Sequence, residues 1–436
     1  MVPPRSERLR QLRQEIRALR AASGLSPAER VAQRERRVAL RQEIARLEAA
    51  DADPAAAPVL APAPEPLRAP PALRHAVTTA RTIERQFEVL DLRSADSERA
   101  DPEVQAVVER FLRRYQQPLP LTADQPRIAH EALVLAGGLV WERGEPLLGT
   151  FPPSAVSRRR PAIDRRYQEA IDDPATPRLP GLSVVIERST ARNYFHWMTE
   201  QLPRFHRLRA VEAETAIDRI LVLGSAWEEL SFVRESVATF FPQYLDRIHP
   251  LHTAARCEHA LYFDQPRDER KSRLCSSIDH WLEALVGPCS ADGPPPGRLL
   301  YVSRRDARTR LLLDESAWCE QLATLGFEVV TLAGLPVTAQ QQLFSSARCV
   351  ISAHGANLTN IMFCRPGTQV VELMTAQFID RASYLNLSMM RGLPYTLALV
   401  DQDGPHQWLT ENTGNSLRLG EQGRQRLIHH LRSRLA

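Results

Sequence analysis

The sequence predicts an α/β protein, with two Rossmann-like domains that face a cleft and a helical hairpin in front of them. The chain has 436 residues, a length that favours two or three domains over one. From residue 219 onward, short apolar runs alternate with segments of helical periodicity, as in doubly wound parallel sheets. Residues 287–297 hold four prolines and three glycines, which indicates a linker between the two domains.

Changes in composition set the domain boundaries. Residues 51–71 are dominated by Ala and Pro, and the prolines exclude a regular helix there. We therefore assign 1–50 to a helical, coiled-coil-like hairpin, 51–73 to an Ala/Pro linker, 74–290 to an N-terminal α/β domain, and 291–436 to a C-terminal α/β domain.

The hairpin is predicted from its apolar spacing. Residues 5–20 carry an apolar side chain at every third or fourth position, and Ser26 with Pro27 begins a second helix. Helices this short need a partner to be stable. A homodimer or another partner held by this arm is the functional interpretation, and a solvated, weakly ordered appendage is the alternative.

The body is predicted from its periodicity. Helices are amphipathic segments with a cap or a stop signal, and strands are short apolar runs between polar or Gly-rich turns. The predicted helices cover 102–115, 228–241, 275–286, 314–326, 339–345, 358–363 and 421–436, with a further helix capped by Asn193. The predicted strands cover 182–186, 219–223, 248–251, 259–263, 299–303, 327–331, 349–351, 370–373 and 394–400, with a hairpin over 132–148.

Composition excludes several classes of partner. A net charge of +4 is too small to indicate nucleic-acid binding, and the twelve histidines show no metal-ligand spacing. No run approaches the ~20 apolar residues of a membrane span, so the basic C-terminal helix predicts at most peripheral contact with the inner face of a membrane. Six cysteines without a Cys-x-x-Cys pair, and no visible signal segment, favour a cytoplasmic protein.

The stretch 348–373 predicts an anion site. An apolar strand leads into the small, polar turn 352–357, and a helix and a second strand follow. The free N–H groups at a helix start attract an anion, and Gly355 beside His354 lets the backbone approach a ligand closely. The alternative is an ordinary turn between a strand and a helix.

A second stretch, 189–209, carries a candidate general base. If Asn193 caps a helix, His196 and Glu200 are four residues apart and share one face. A histidine and a carboxylate one turn apart can position a base. They can equally form a surface pair, or a core histidine with its hydrogen-bond partner.

Polar groups at predicted strand ends complete a ligand cleft. Arg304 and Arg305 follow one strand, and Glu372 lies at the end of another. Ligands of open α/β sheets bind at the carboxyl ends of strands, and arginine suits phosphate. No Walker A or G-x-G-x-x-G motif occurs, which leaves a kinase or a dinucleotide enzyme without support.

Three motifs, in this order, resemble family 61 glycosyltransferases: Asn-Tyr-Phe-His-Trp-Met-Thr-Glu-Gln-Leu-Pro-Arg (193–204), Tyr-Val-Ser-Arg-Arg-Asp-Ala-Arg (301–308), and His-Gly-Ala-Asn-Leu-Thr-Asn (354–360) with Pro-Gly-Thr and Val-Val-Glu-Leu after it. The resemblance covers roughly residues 130–400 and is to bacterial members that build polysaccharides. It implies a GT-B fold, in which domain 74–290 would bind the acceptor and domain 291–436 the donor, and an inverting, metal-independent hexosyl- or pentosyltransferase. The donor would be a nucleotide sugar, with a UDP-sugar favoured, and the acceptor a glycan, a lipid-linked glycan or a protein hydroxyl.

The resemblance also implies roles for single residues. Glu200 matches the acidic residue of the first motif and would take the acceptor proton, and because the family's acid is more often Asp, His196 is the alternative base. Asn193, Tyr194 and Trp197 would bind the acceptor. Donor binding would fall to Arg304, Arg305, Ser352, His354, Gly355, Ala356, Asn357, Leu358 and Glu372.

Two other functions stay open at this point. A non-catalytic protein that binds sugar nucleotides or glycans predicts donor binding without turnover. A scaffold that acts through its N-terminal hairpin predicts loss of function when residues 1–73 are deleted. The base and the phosphate site occur together in this sequence, which favours an enzyme.

Overall fold

A computed structural model divides the chain into two compact units, Met1–Arg68 and Ala69–Ala436. The structure describes residues 81–95, 99, 101–121, 125–151, 160–186, 192–264, 277–286, 297–404 and 415–435, together with Gln11. Apart from Gln11, the predicted hairpin and Ala/Pro linker lie outside the described residues, and so does most of the predicted interdomain linker.

The strands of the second unit follow the predicted alternation with helices. In chain order they are β1 (Arg81–Ile83), β2 (Glu88–Asp91), β3 (Leu119–Leu121), β4 (Gln125–Leu135), β5 (Leu139–Glu142), β6 (Glu145–Pro146), β7 (Arg178–Val185), β8 (Arg219–Leu223), β9 (Ile248–Leu251), β10 (Ala254–Asp264), β11 (Arg298–Val302), β12 (Leu312–Leu313), β13 (Phe327–Val330), β14 (Ala347–Ala353), β15 (Gln369–Met374), β16 (Tyr395–Leu399), β17 (Asp401–Gln402) and β18 (Leu417–Arg418).

Helices connect most of these strands. The α-helices are Pro102–Tyr115, Arg160–Asp172, Tyr194–His196, Leu202–Glu212, Gly224–Glu229, Ser231–Phe240, Ser277–Val286, Glu315–Ala323, Val337–Ser345, Ser383–Arg391 and Glu421–Leu435. A π-helical turn covers Trp197–Gln201, and 3₁₀ helices cover Leu148–Thr150, Pro242–Arg247, Ala356–Phe363 and Ala376–Phe378.

The first large sheet is mixed and has seven strands in the order β6-β5-β4-β10-β7-β8-β9. Strands β10, β7, β8 and β9 are parallel, whereas β4, β5 and β6 pair antiparallel. Strand β7 has β8 on one side and β10 on the other, so the order of connection reverses beside it. The segment that begins at Tyr194 follows the carboxyl end of β7, where ligands of such sheets bind.

The second large sheet is parallel throughout, in the order β13-β11-β14-β15-β16-β2. When β11, β13, β14, β15 and β16 are counted one to five, their order is 2-1-3-4-5, an order found in doubly wound folds. The crevice of such a sheet lies between strands one and three, which here are β11 and β14. The arginine motif follows β11 directly, and the His-Gly motif begins at the end of β14.

The edge strand β2 precedes the first large sheet in sequence but belongs to the second large sheet. Its residues Glu88–Asp91 were predicted to belong to the N-terminal domain, yet they pair in parallel with β16. Both sheets also lie within one compact unit. The division at residues 290 and 291 into two Rossmann-like domains therefore stays a prediction.

Burial explains the packing around the sheets. The largest apolar cluster takes buried side chains from both sheets and from the segment after β7, including Val184, Trp197, Phe205, Leu300 and Val350. A second cluster covers the opposite face of the parallel sheet with Tyr301, Ile351, Val371, Leu427 and Leu431. Neighbouring residues along a strand enter different clusters because side chains alternate across a sheet. Full burial of each aliphatic side chain stabilises the fold by about 1.5–3 kcal/mol.

Most predicted elements near the site are confirmed, and two local details are wrong. The predicted helix 228–241 is two helices, because Leu230 between them is extended, with φ −111° and ψ 107°. The helix predicted over 339–345 begins two residues earlier, at Val337 after Pro336. The backbone N–H of Val337 donates to Glu235 Oε2 at 3.0 Å.

Candidate active site

His196 and Glu200 lie at the start of the segment that follows β7. Asn193 has an extended backbone there, and its Oδ1 accepts a hydrogen bond from the backbone N–H of His196 at 3.3 Å. This is the predicted N-cap, which satisfies one of the free N–H groups of a helix start.

A π-helical turn carries Glu200. The backbone N–H of Leu202 reaches the carbonyl of Trp197, five residues back, instead of the usual four. Pro203 follows at once and has no N–H to continue α-helical bonding in this turn. Such turns are rare, and they occur frequently at functional sites.

The side chains of His196 and Glu200 form a close pair. Nδ1 of His196 lies 2.6 Å from Oε1 of Glu200. The Glu200 side chain is 6% exposed and that of His196 is 18% exposed, so the histidine is the more accessible partner. A carboxylate on Nδ1 fixes the tautomer and leaves Nε2 as the ring nitrogen that can exchange a proton with substrate.

Arg304 lies at the carboxyl end of β11 and packs on Gly355 at the end of β14. A Cβ on residue 355 would overlap Nη1 of Arg304, so only glycine admits this contact. Arg304 is 6% exposed, its Nη2 donates to the Thr309 carbonyl at 3.2 Å, and its buried Nε has no hydrogen-bond partner among the described residues. Burial, reinforced by the nearby Arg310 charge, lowers the pKa of Arg304 well below its usual value, to about 10. A bound anion would relieve this unfavourable charge.

Arg310 is a second cation at this end of the sheet. Its backbone is left-handed, with φ 59°, a conformation that non-glycine residues adopt at few positions outside tight turns and functional sites. The guanidinium carbon lies 5.0 Å from the centroid of the Phe378 ring, and within the part of the chain that the structure describes the buried Nε has no hydrogen-bond partner. Burial lowers the pKa of Arg310 below its usual value.

His354 is oriented by a buried carboxylate. Its Nδ1 bonds to Glu372 Oε1, and the Tyr395 hydroxyl donates to Glu372 Oε2. These two bonds engage both carboxylate oxygens of Glu372, which is fully buried. The rings of Phe378 and Tyr384 lie 5.2 and 5.3 Å from the His354 ring. In this arrangement Glu372 holds His354 in place and does not face a ligand directly.

The other predicted donor residues differ in exposure. Arg305 is exposed, and Ala356 and Asn357 are half-buried. Ser352 is fully buried and its hydroxyl donates to the Val302 carbonyl at 2.8 Å, which joins β14 to β11. Leu358 is a core residue whose N–H already donates to the Gly355 carbonyl at 3.0 Å. Arg304, His354, Gly355, Ala356 and Asn357 therefore remain around the crevice.

The three residues predicted to bind the acceptor take different positions. Asn193 is exposed at the helix start. Trp197 is fully buried, and its indole N–H donates to Ser236 at 2.8 Å, so its contacts are those of a core residue. Tyr194 is half-buried, and its hydroxyl donates to Asn360 Oδ1 at 2.7 Å.

The two halves of the site meet through these side chains. Tyr194 links the turn of His196 to Asn360 in the 3₁₀ helix after Gly355. Phe195 lies 5.5 Å from the Tyr384 ring, which itself contacts the His354 ring. The predicted base and the predicted anion site therefore share one cluster of contacts, although His196 and His354 are 158 residues apart in sequence.

Sequence reasoning missed Arg310, Asn360 and Tyr395. The density of arginine between residues 304 and 310 was a signal for the first, although it did not distinguish Arg310 from Arg305. Nothing in the sequence pairs Tyr395 with Glu372, because their contact arises from adjacent strands. Among the described residues, no group of three or more His, Cys, Asp or Glu is placed to hold a metal ion.

Comparison with known families agrees with the motifs. Residues 194–371 match the family model described as Glycosyltransferase 61. No match is found among curated proteins. The matched segment contains the His196–Glu200 pair, Arg304, Arg310 and the His-Gly turn, and it ends one residue before Glu372. This chain therefore contains a glycosyltransferase 61 domain and is a glycosyltransferase.

Proposed function

We propose that the protein transfers a sugar from a nucleotide sugar, in the first instance a UDP-sugar, to a hydroxyl of a glycan or a lipid-linked glycan. The reaction is a single displacement with inversion at the anomeric carbon, in a GT-B arrangement. The observation that carries the proposal is that the turn of His196 and Glu200 contacts, through Tyr194 and Phe195, the segments next to the arginine site at the β11/β14 crevice. A base and a leaving-group site are the two elements that this displacement needs.

His196 is the base in this proposal, and Glu200 assists it. Nε2 of His196 takes the proton of the acceptor hydroxyl as the oxygen attacks the anomeric carbon. The Glu200 carboxylate on Nδ1 stabilises the imidazolium that forms, and general-base catalysis of this kind contributes about 10²- to 10⁴-fold in rate. The lower exposure of Glu200 supports this division of roles.

The leaving nucleoside diphosphate gathers negative charge, and the arginines stabilise it. Arg304 is buried and Arg310 half-buried, and the buried Nε of each has no hydrogen-bond partner among the described residues, so water competes weakly for these donors. Gly355 allows the donor and the Arg304 guanidinium to approach one backbone segment. His354, held by Glu372, adds a ring nitrogen to the same site.

Transfer assays test the proposal. The full chain is incubated with UDP-glucose, UDP-N-acetylglucosamine or UDP-xylose and a panel of glycan acceptors, and released UDP and glycosylated product are measured. We expect acceptor-dependent turnover that persists with EDTA, since the proposed site uses arginines in place of a metal ion. Complete loss with EDTA and recovery with Mg²⁺ or Mn²⁺ would contradict the metal-independent mechanism.

Two variants test the base under saturating donor. His196→Ala should lower kcat by about 10³-fold and Glu200→Gln by roughly 10- to 100-fold, because only the first removes the proton acceptor. If both variants keep near wild-type turnover, the base lies elsewhere. UDP binding without any turnover would favour the non-catalytic alternative.

The setting of the reaction is also a proposal. A role in bacterial polysaccharide synthesis at the inner face of the membrane is suggested by the motifs and by the basic C-terminal helix. No described helix is both long and apolar enough to cross a membrane. Dimerisation through the N-terminal helices is checked by comparing the molar mass of the full chain in solution with that of a variant lacking residues 1–73.

A further inference from the structure

The carboxamide of Asn360 is fully engaged and its orientation is fixed. Oδ1 accepts from the Tyr194 hydroxyl at 2.7 Å, and Nδ2 donates to Gln340 Oε1 at 2.9 Å and to the Asn357 carbonyl at 3.1 Å. Gln340 in turn donates through Nε2 to the Leu335 carbonyl at 2.8 Å, so its Oε1 must be the acceptor for Asn360. The position of the Tyr194 hydroxyl is therefore determined by a complete network.

This network joins the two motifs at the site. Tyr194 belongs to the turn capped by Asn193, two residues before His196. Asn360 belongs to the 3₁₀ helix that starts directly after Gly355, and Asn357 on that helix extends its side chain toward the Ser303 carbonyl beside Arg304. We call residues 352–357 the donor loop. A shift of this loop would reach the turn of His196 through Asn360 and Tyr194.

Tyr194 is suited to hold a fixed geometry. Its ring packs edge-on against Phe232, with centroids 5.2 Å apart. Burial raises the pKa of the Tyr194 phenol, so the hydroxyl remains a neutral hydrogen-bond donor at physiological pH. Two further contacts join the same two parts of the molecule, the Glu235–Val337 hydrogen bond and the Phe195–Tyr384 ring pair. These keep the parts together when the Tyr194 hydroxyl is removed.

We infer that Tyr194 is a positioning residue, which sets the distance between the His196 base and the donor through Asn360. The inference rests on the proposed function, and it assigns Tyr194 to the alignment of the two halves instead of to direct acceptor binding. Small errors in the distance between reacting groups reduce the rate of the chemical step more than they reduce substrate binding.

The first test is the Tyr194→Phe variant of the full chain, assayed with the UDP-sugar that turns over in the panel above. We expect kcat to fall about tenfold while the KM for the donor changes less than about twofold. The matched control is Tyr244→Phe, which removes a buried phenol hydroxyl that donates to Glu212 Oε2 at 2.8 Å, at the far end of the same helical segment. The control should lose similar thermal stability and keep its kcat.

The second test needs no turnover and uses UDP as the probe. Hydrogen exchange is followed with and without saturating UDP. In the wild-type chain, UDP should slow exchange both in the donor loop and in residues 194–201. In Tyr194→Phe, the protection should be confined to the donor loop, since the link to the turn of His196 is missing.

The outcomes separate this inference from the function on which it rests. A wild-type chain that neither binds UDP nor turns over any UDP-sugar removes both. If the wild type is active, the inference alone is overturned when Tyr194→Phe keeps its kcat within twofold, or loses no more than Tyr244→Phe. Equal protection of residues 194–201 by UDP in wild type and Tyr194→Phe overturns it as well. A large rise in donor KM at unchanged kcat would assign Tyr194 to binding.

Discussion

Replacement of Arg304 by methionine removes a buried charge and keeps most of the apolar stem. In the free protein the charged guanidinium is disfavoured, because burial lowers its pKa from the ordinary value of an arginine to about 10. That difference corresponds to ~3 kcal/mol of unfavourable free energy in the native state. The substitution also removes the hydrogen bond to the Thr309 carbonyl, which contributes about 1 kcal/mol. We therefore expect Arg304→Met without ligand to be as stable as wild type or up to about 2 kcal/mol more stable.

The pH dependence of this difference follows from the direction of the pKa change. Arg304 has a lower pKa when folded than when unfolded, so the unfolded chain binds more protons only above about pH 10. The destabilisation is fully present below that pH, and it is relieved as the pH rises above it. The stability difference between Arg304→Met and wild type should therefore be constant from about pH 6 to 9.

UDP should shift the stability difference in favour of the wild type. A ligand at one hundred times its Kd stabilises the native state by about 2.7 kcal/mol. Because a hydrogen bond to a charged group contributes about 1.5–3 kcal/mol, Arg304→Met should bind UDP roughly 10- to 100-fold more weakly. Urea denaturation with and without UDP, together with calorimetric titration, measures both quantities. Arg308→Met is the control, since it removes an exposed charge from the same loop.

One result would refute the reasoning about Arg304. If Arg304→Met is more than about 2 kcal/mol less stable than wild type without UDP, and UDP still stabilises it fully, the guanidinium is a structural group. Its contact with Gly355 would then serve packing and not an anion.

Three further predictions concern the same crevice and the fold around it. Gly355→Ala should weaken UDP binding about tenfold and destabilise the protein by less than ~1 kcal/mol. The Gly355 backbone is extended, so an added Cβ displaces only the end of the Arg304 side chain. Equal UDP affinity of variant and wild type by calorimetry would contradict this. Tyr395→Phe should destabilise the protein by about 1–3 kcal/mol in urea, since it leaves a buried oxygen of Glu372 without its donor, and an unchanged midpoint would count against that bond. Arg310→Met should bind UDP more weakly than wild type, whereas Arg305→Met should bind it with nearly wild-type affinity. The reverse order would support Arg305 as the donor-binding residue, as the sequence predicts.

The parallel sheet at the site was predictable because its strands are short and apolar. Strand 370–373 was predicted where β15 covers Gln369–Met374, and the C-terminal helix was predicted within one residue of Glu421–Leu435. The capping role of Asn193 also followed from sequence, since an N-cap depends on neighbours three residues away. These features depend on local spacing, which a sequence displays directly.

Side-chain roles within the motifs were less predictable. Sequence placed Arg304 and Arg305 together at the donor, but β11 ends so that Arg304 turns inward and Arg305 is exposed. Glu372 was expected near the nucleotide, whereas adjacent strands place His354 and Tyr395 on its two oxygens. Adjacent residues leave a strand on opposite faces, and a strand's neighbours depend on the whole sheet.

The sequence by itself determined the α/β class, the three motifs and the pairing of His196 with Glu200, because each depends on residue types a few positions apart. The tertiary structure decided which strands border the crevice, that Arg310 joins Arg304 there, and that Tyr194 reaches Asn360. It also decided that β2 completes the second sheet from a distant part of the chain. These contacts join residues far apart in sequence, and the strand order and packing that create them are set by burial over the whole molecule, which no local pattern encodes.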